Sequence, residues 1–176
     1  MTHQVTLDRD RTAVVIMDYQ DRIVNSYASD PQGVIRSAAQ VLQGARQAGI
    51  LVIYVVHRGG DFQEYSPDVE IHAGVPPAPG EKIFTKTRAG SFSTTGLEAA
   101  LRVAGRDSLV LMGVATSGCV LSTVMWGSDV GYNLFVVSDA CSDLDEEVHR
   151  VLMEKLYPRQ ATILTAQKFL KAVGVA

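Results

Sequence analysis

The feature that most constrains the fold is Thr12-Ala13-Val14-Val15-Ile16-Met17, an uncharged and largely β-branched run that stops abruptly at Asp18. A run this short, without alternation of polar and apolar residues, suits a strand buried on both faces, as in a parallel sheet covered by helices. The pattern recurs. Residues 50–56 form a second such run, closed by His57 and Gly59-Gly60, and 109–113 form another; 82–86, 134–137 and 161–164 are further short strand candidates. Between them the apolar spacing becomes helical. Val34, Ile35, Ala38, Val41, Leu42 and Ala45 precede Gly49, while Leu97, Ala100, Leu101 and Ala104 precede Gly105 with Thr94-Thr95 as cap. Residues 117–128 predict a further helix, and the carboxylates of Asp143, Asp145, Glu146 and Glu147 mark another helix start, where they favour the helix dipole. Strands alternating with helices predict one α/β domain over residues 1–176. Its expected architecture is three-layer α/β/α and doubly wound, a mostly parallel six-stranded sheet of Rossmann-type topology.

The charge pattern removes several classes of partner. Net charge is only -3 and no basic block occurs, so the footprint of a nucleic-acid binder is missing. The N-terminus has no signal-like apolar stretch and no run is long enough to span a bilayer, which predicts a cytoplasmic protein without membrane attachment. Cys119 and Cys141 belong to no C-x-x-C pair and no zinc-spaced set, so each is expected to be a thiol, and no metal is expected. No G-x-G-x-x-G or Walker pattern follows the first strand, so no cofactor is expected. The expected partner is a small-molecule substrate.

In parallel sheets ligands bind beyond the carboxyl ends of the strands. Three reactive side chains stand there: Asp18 after the first strand, Lys86 after the third and Cys119 just past the fourth. Singly, each has an ordinary explanation as cap, solvated charge or small core residue. One crevice collecting all three supplies what thiol catalysis needs. The thiolate is the nucleophile, and Gly113-Val114-Ala115-Thr116-Ser117-Gly118-Cys119 runs from strand through small residues into a helix, so Cys119 is expected in the first turn, where the dipole favours negative charge. Lys86 stabilises the thiolate, and Asp18 takes its proton and later returns it to a leaving group. Free N–H groups of that turn offer an oxyanion hole. The chemistry these residues predict is acyl transfer to water. One geometric gap remains at this level: Lys86 follows a strand expected at the sheet edge and must reach back toward the first and fourth.

Successive blocks along the chain resemble the isochorismatase-like cysteine hydrolases, a family that includes isochorismatases, nicotinamidases, N-carbamoylsarcosine amidohydrolases and ureidoacrylate amidohydrolases. The blocks are the first strand with Asp18 and Gln20; Glu70-Ile71-His72; Pro79-Gly80-Glu81; Lys86-Thr87-Arg88-Ala89-Gly90-Ser91-Phe92 with Thr95 and Leu97; Gly113-Val114-Ala115-Thr116 with Cys119-Val120 and Thr123; and Gly131-Tyr132 with Ser138-Asp139-Ala140. The resemblance implies a triad of Asp18, Lys86 and Cys119, a cis peptide between Val114 and Ala115, and an oxyanion hole from the Ala115 and Cys119 N–H groups. It also implies a homo-oligomer, dimer or tetramer. Departures are informative. The Asp-x-His metal pair of nicotinamidases is missing after the second strand, where the chain reads His57-Arg58-Gly59-Gly60-Asp61; Ser91 and Gly127 stand where Ala is common.

Gln20, Tyr27, His57, Phe92 and Trp126 are the candidate substrate-binding residues, with Tyr19 and Arg88 beside them, and the irregular stretch 61–81 is expected to shape the pocket. Each also has a packing or surface reading, and Trp126, seven residues past Cys119, fits core or a subunit interface as well. Cys141 reads as a packing residue, and the acidic stretch 143–147 as a helix start with no further role. The leading expectation is cleavage of a C–N bond in a small amide, carbamoyl or ureido compound through a Cys119 thioester. Isochorismatase-type vinyl ether hydrolysis is the enzymatic alternative, and a flavodoxin-like thiol sensor the non-enzymatic one.

Overall fold

The structure is a computed structural model that describes residues 5–60 and 67–175; residues 1–4 and part of the irregular connection, 61–66, lie outside the described residues. Six strands form one sheet in the order β3-β2-β1-β4-β5-β6, and every neighbouring pair is parallel. They are β1 (Thr12–Met17), β2 (Leu51–His57), β3 (Lys82–Lys86), β4 (Ser108–Val114), β5 (Asn133–Ser142) and β6 (Ala161–Leu164). All six residues of β1 are buried, as are six of the seven of β4, which is what a continuous apolar run demands. The sheet is therefore all-parallel rather than mostly so. Its order reverses between β1 and β4, which opens a crevice at their carboxyl ends.

The helices are α1 (Asp21–Tyr27), α2 (Pro31–Gln47), α3 (Leu97–Val103), α4 (Leu121–Asp129), α5 (Glu146–Val151) and α6 (Ala166–Ala172). In α2, Asp30 caps the first turn through Gly33 N, Pro31 supplies a preset φ, and the apolar stripe from Val34 to Ala45 is buried. α2 packs on β2 and β5, α4 packs on β5, and α6 packs on β5 and β6 and back onto α2. That contact is close: a Cβ at Gly44 would stand 2.2 Å from Leu170 Cδ2. Among the described residues no helix is long and apolar enough to cross a membrane.

Several elements differ from expectation for local reasons. The helix after β3 begins at Leu97 with Gly96 as its cap, because Thr95 Oγ1 is engaged just outside, accepting Leu97 N at 3.1 Å and donating to Ser91 O. The helix expected over 117–128 is split into a π-helical turn, Thr116–Val120, followed by α4. β5 does not end at Val137. Its register on β4 jumps from Leu111↔Val136 to Gly113↔Cys141, so extra residues bulge out and the strand continues through Cys141. The bulge delivers the Ala140 carbonyl to the buried Tyr19 hydroxyl. The short helices α1 and α6 carry too few turns for periodicity to reveal them.

Candidate active site

Asp18 leaves β1 with φ 59°, the left-handed region that Asp tolerates better than most residues, and its N–H is held by Val55 O at 2.9 Å. This bend aims the carboxylate into the crevice instead of along the strand. Lys86 reaches it from the sheet edge. The β3 register sets Lys86 opposite His57, two residues beyond Val55, which faces Met17. β3 thus overhangs the end of β1, and the Lys86 Nζ lies 2.7 Å from Asp18 Oδ2. The ammonium also donates to Arg88 O at 3.1 Å. Cys119, on the π-helical turn after β4, directs its thiol toward Val114 O and Ala115 O at 3.3 and 3.7 Å. The Val114–Ala115 peptide is cis.

The three side chains share an almost closed environment, with Asp18 4%, Lys86 1% and Cys119 3% exposed. Burial pushes the Asp18 carboxyl up to about 6, against the opposing pull of the Lys86 charge. Burial and the neighbouring Asp18 carboxylate push the Cys119 thiol well above its ordinary value, again with Lys86 pulling the other way. Desolvation outweighs the opposing pull of Lys86, which favours the neutral form of the Cys119 thiol beside Asp18. Among the described residues Asp18 Oδ1 has no hydrogen-bond partner, which leaves one oxygen able to take the thiol proton. The group can therefore deprotonate a thiol on demand and return the proton later.

Gly113 gives this arrangement its space. A Cβ there would stand 2.7 Å from Met17 O and 3.2 Å from Cys119 Sγ. Gly113→Ala is expected to cost about 1–3 kcal/mol by overpacking and to push the sulfur out of place. Urea unfolding together with turnover of the purified variant checks both effects.

The remaining candidates divide. The buried Gln20 side chain accepts His57 N at 2.7 Å and donates to Val69 O at 2.6 Å and His57 O at 3.1 Å, so it ties the end of β2 to the turn at Val69 and both of its N–H donors are engaged. His57 does sit beside the site, opposite Lys86, where burial and the Lys86 charge lower its pKa. Phe92 is buried in a stack with Tyr132 at 5.8 Å and Trp126 at 6.5 Å between ring centroids, with Gly127 leaving room for it under α4. It packs that helix. Trp126 and Tyr27 are each close to half exposed. Cys141 is buried within β5, its thiol pushed up to about 12 by desolvation.

Sequence reasoning missed Asp143, His149 and Tyr157, all of which hydrogen-bond to the turn that carries Cys119. Asp143 was expected to mark a helix start, but Asp145 is the cap of α5. The available signal was subtle: two acids ahead of one helix, of which a single cap needs only one. Among the described residues no group of three or more His, Cys, Asp or Glu side chains gathers to hold a metal.

The model of the isochorismatase domain matches residues 12–168 of the chain. The isochorismatase family protein YddQ of Bacillus subtilis is 31% identical, over 91% of this chain and 99% of the relative. Streptothricin hydrolase of Streptomyces noursei is 30% identical, over 76% of this chain and 50% of that protein. Among solved structures, a cysteine hydrolase from Pseudomonas syringae superposes with TM-score 0.90, covering 99% of both chains at 21% identity, which speaks to the fold.

Proposed function

Because the chain belongs to the isochorismatase family of hydrolases, we propose that it hydrolyses a C–N bond of a small amide, carbamoyl or ureido compound through a thioester on Cys119. The observation that carries this reading is the buried thiol set beside a carboxylate whose second oxygen is bound by an ammonium. In the proposed reaction Asp18 takes the thiol proton as the sulfur attacks the substrate carbonyl. The N–H groups of Ala115 and Cys119 hold the oxyanion that forms. As the C–N bond breaks, Asp18 passes its proton to the departing nitrogen. Water then attacks the thioester carbonyl with Asp18 again as base, which releases the acid and restores the thiol. Lys86 keeps Asp18 oriented and offsets the negative charge that moves between carboxylate and sulfur. His57, beside Lys86, is the remaining candidate for a substrate contact.

Vinyl ether hydrolysis needs a proton donor but no nucleophilic sulfur, so a thiol poised against a base favours acyl transfer. The test is a screen of small amides, ureido acids and isochorismate against wild-type protein and Cys119→Ala. Turnover of a C–N substrate by wild type alone supports the proposal. Turnover of isochorismate by both proteins contradicts it.

A further inference from the structure

The turn that presents Cys119 is gripped from outside by one continuous stretch, residues 143–157, through bonds to successive groups. Asp143 Oδ2 accepts Ser117 N–H at 2.7 Å. Thr116 Oγ1 and His149 Nδ1 share a hydrogen bond of 2.7 Å. The Tyr157 hydroxyl donates to Thr116 O at 2.6 Å. The three residues come from different local structures: Asp143 follows β5, His149 lies on α5, and Tyr157 follows a second π-helical turn, Leu152–Leu156. Tyr157 is fully buried and Asp143 nearly so, although the acidic run around Asp143 is mostly exposed.

Their targets are the groups that define the turn's shape. A π-helical turn is rare and usually marks a functional site. Here Thr116 O accepts Leu121 N–H, five residues on, and the same oxygen takes the Tyr157 hydroxyl as a second donor. Ser117 N–H belongs to the opening turn, whose N–H groups have no partner within the helix, and Asp143 supplies one. The turn in its wide form directs Cys119 Sγ, and an error of about 1 Å at a reacting group costs roughly 10²-fold in rate.

We infer that Asp143, His149 and Tyr157 are positioning residues that hold Thr116–Val120 in its π-helical form and thereby fix Cys119 against Asp18. The inference rests on reading Cys119 as the nucleophile. Among the described residues none of the three hydrogen-bonds to Asp18, Lys86 or the Cys119 sulfur, so they act through Thr116 and Ser117 of the turn.

Three variants separate positioning from mere support. Tyr157→Phe keeps the ring and loses one bond; Asp143→Ala loses the acceptor for Ser117 N–H; Asp143→Asn keeps an acceptor without the charge. Two quantities are read in protein whose circular dichroism is native. One is the rate of Cys119 alkylation by iodoacetamide, resolved from Cys141 by peptide mass spectrometry. The other is the split of kcat and KM on a substrate from the screen. Tyr157→Phe and Asp143→Ala are expected to shift alkylation fivefold or more and to lower kcat ten- to a hundredfold with KM within threefold, while Asp143→Asn stays near wild type. Alkylation and kcat within twofold of wild type in folded Tyr157→Phe would overturn the inference, as would an Asp143→Asn loss equal to that of Asp143→Ala. If Asp143→Ala does not fold, Tyr157→Phe decides. Alkylation needs no substrate, so failure of the proposed hydrolysis and failure of this inference give different results.

Discussion

Cys119→Ala should retain the fold and lose at least about 10³-fold in kcat/KM, equivalent to roughly 4 kcal/mol of transition-state stabilisation. The structural cost is small because Cys119 packs as a compact buried residue and its thiol makes only weak contacts with Val114 O and Ala115 O. Losing one buried sulfur is worth about 1 kcal/mol of folding free energy. The catalytic cost is large because no other group described near Asp18 can form the acyl intermediate. Cys141 does not substitute, since it is buried within β5 and neither Asp18 nor Lys86 is among the groups that act on its thiol. Steady-state kinetics beside a thermal melt separate the two costs: an unchanged melt with lost turnover is the expected pair.

The second large effect is on pH dependence. Asp18 has to be ionised to accept the thiol proton, and burial has moved its pKa up to about 6. kcat/KM is therefore expected to be flat above that value and to fall about tenfold per pH unit below it, an apparent value that belongs to the coupled Asp18, Lys86 and Cys119 group. Lys86 pulls the Asp18 value down, so Lys86→Met should move the acid limb to higher pH and lower activity at pH 7. Asp18→Asn should abolish the limb and lower the plateau by 10²-fold or more. Stability follows with the opposite sense. Asp18 keeps its proton up to about pH 6 when folded and only to about 3.8 when unfolded, so its contribution favours the native state below pH 3.8 and is lost as pH rises through about 6. The swing is roughly 3 kcal/mol, about 2 pKa units at 1.4 kcal/mol each. The site carries this ionised carboxylate at neutral pH at the expense of stability, with Lys86 as the offset. Activity and urea-unfolding profiles over pH 4–8 check both senses together.

The apolar run at 12–17 and its counterparts make the parallel sheet legible in the sequence, and the strand ends point to Asp18, Lys86 and Cys119. The closing of the gap to Lys86 was not legible, because it depends on β3 running two residues past the end of β1, and register is a tertiary property. The effect of burial on the thiol is not legible for a similar reason. A helix start is a local feature that favours thiolate, whereas the burial that opposes it comes from the whole sheet. Gln20 and Asp143 share that cause. Each belongs to a run with an obvious local reading, yet the partners that decide its role, His57 and Ser117, lie 37 and 26 residues away.

The most direct measurement is the mass of Cys119 during turnover. Protein quenched in acid within one turnover of a C–N substrate, then digested, should show the Cys119 peptide heavier by the acyl group and the Cys141 peptide unchanged. Sustained turnover with an unmodified Cys119 peptide, or with Cys119→Ala still active, would contradict a thioester at this residue.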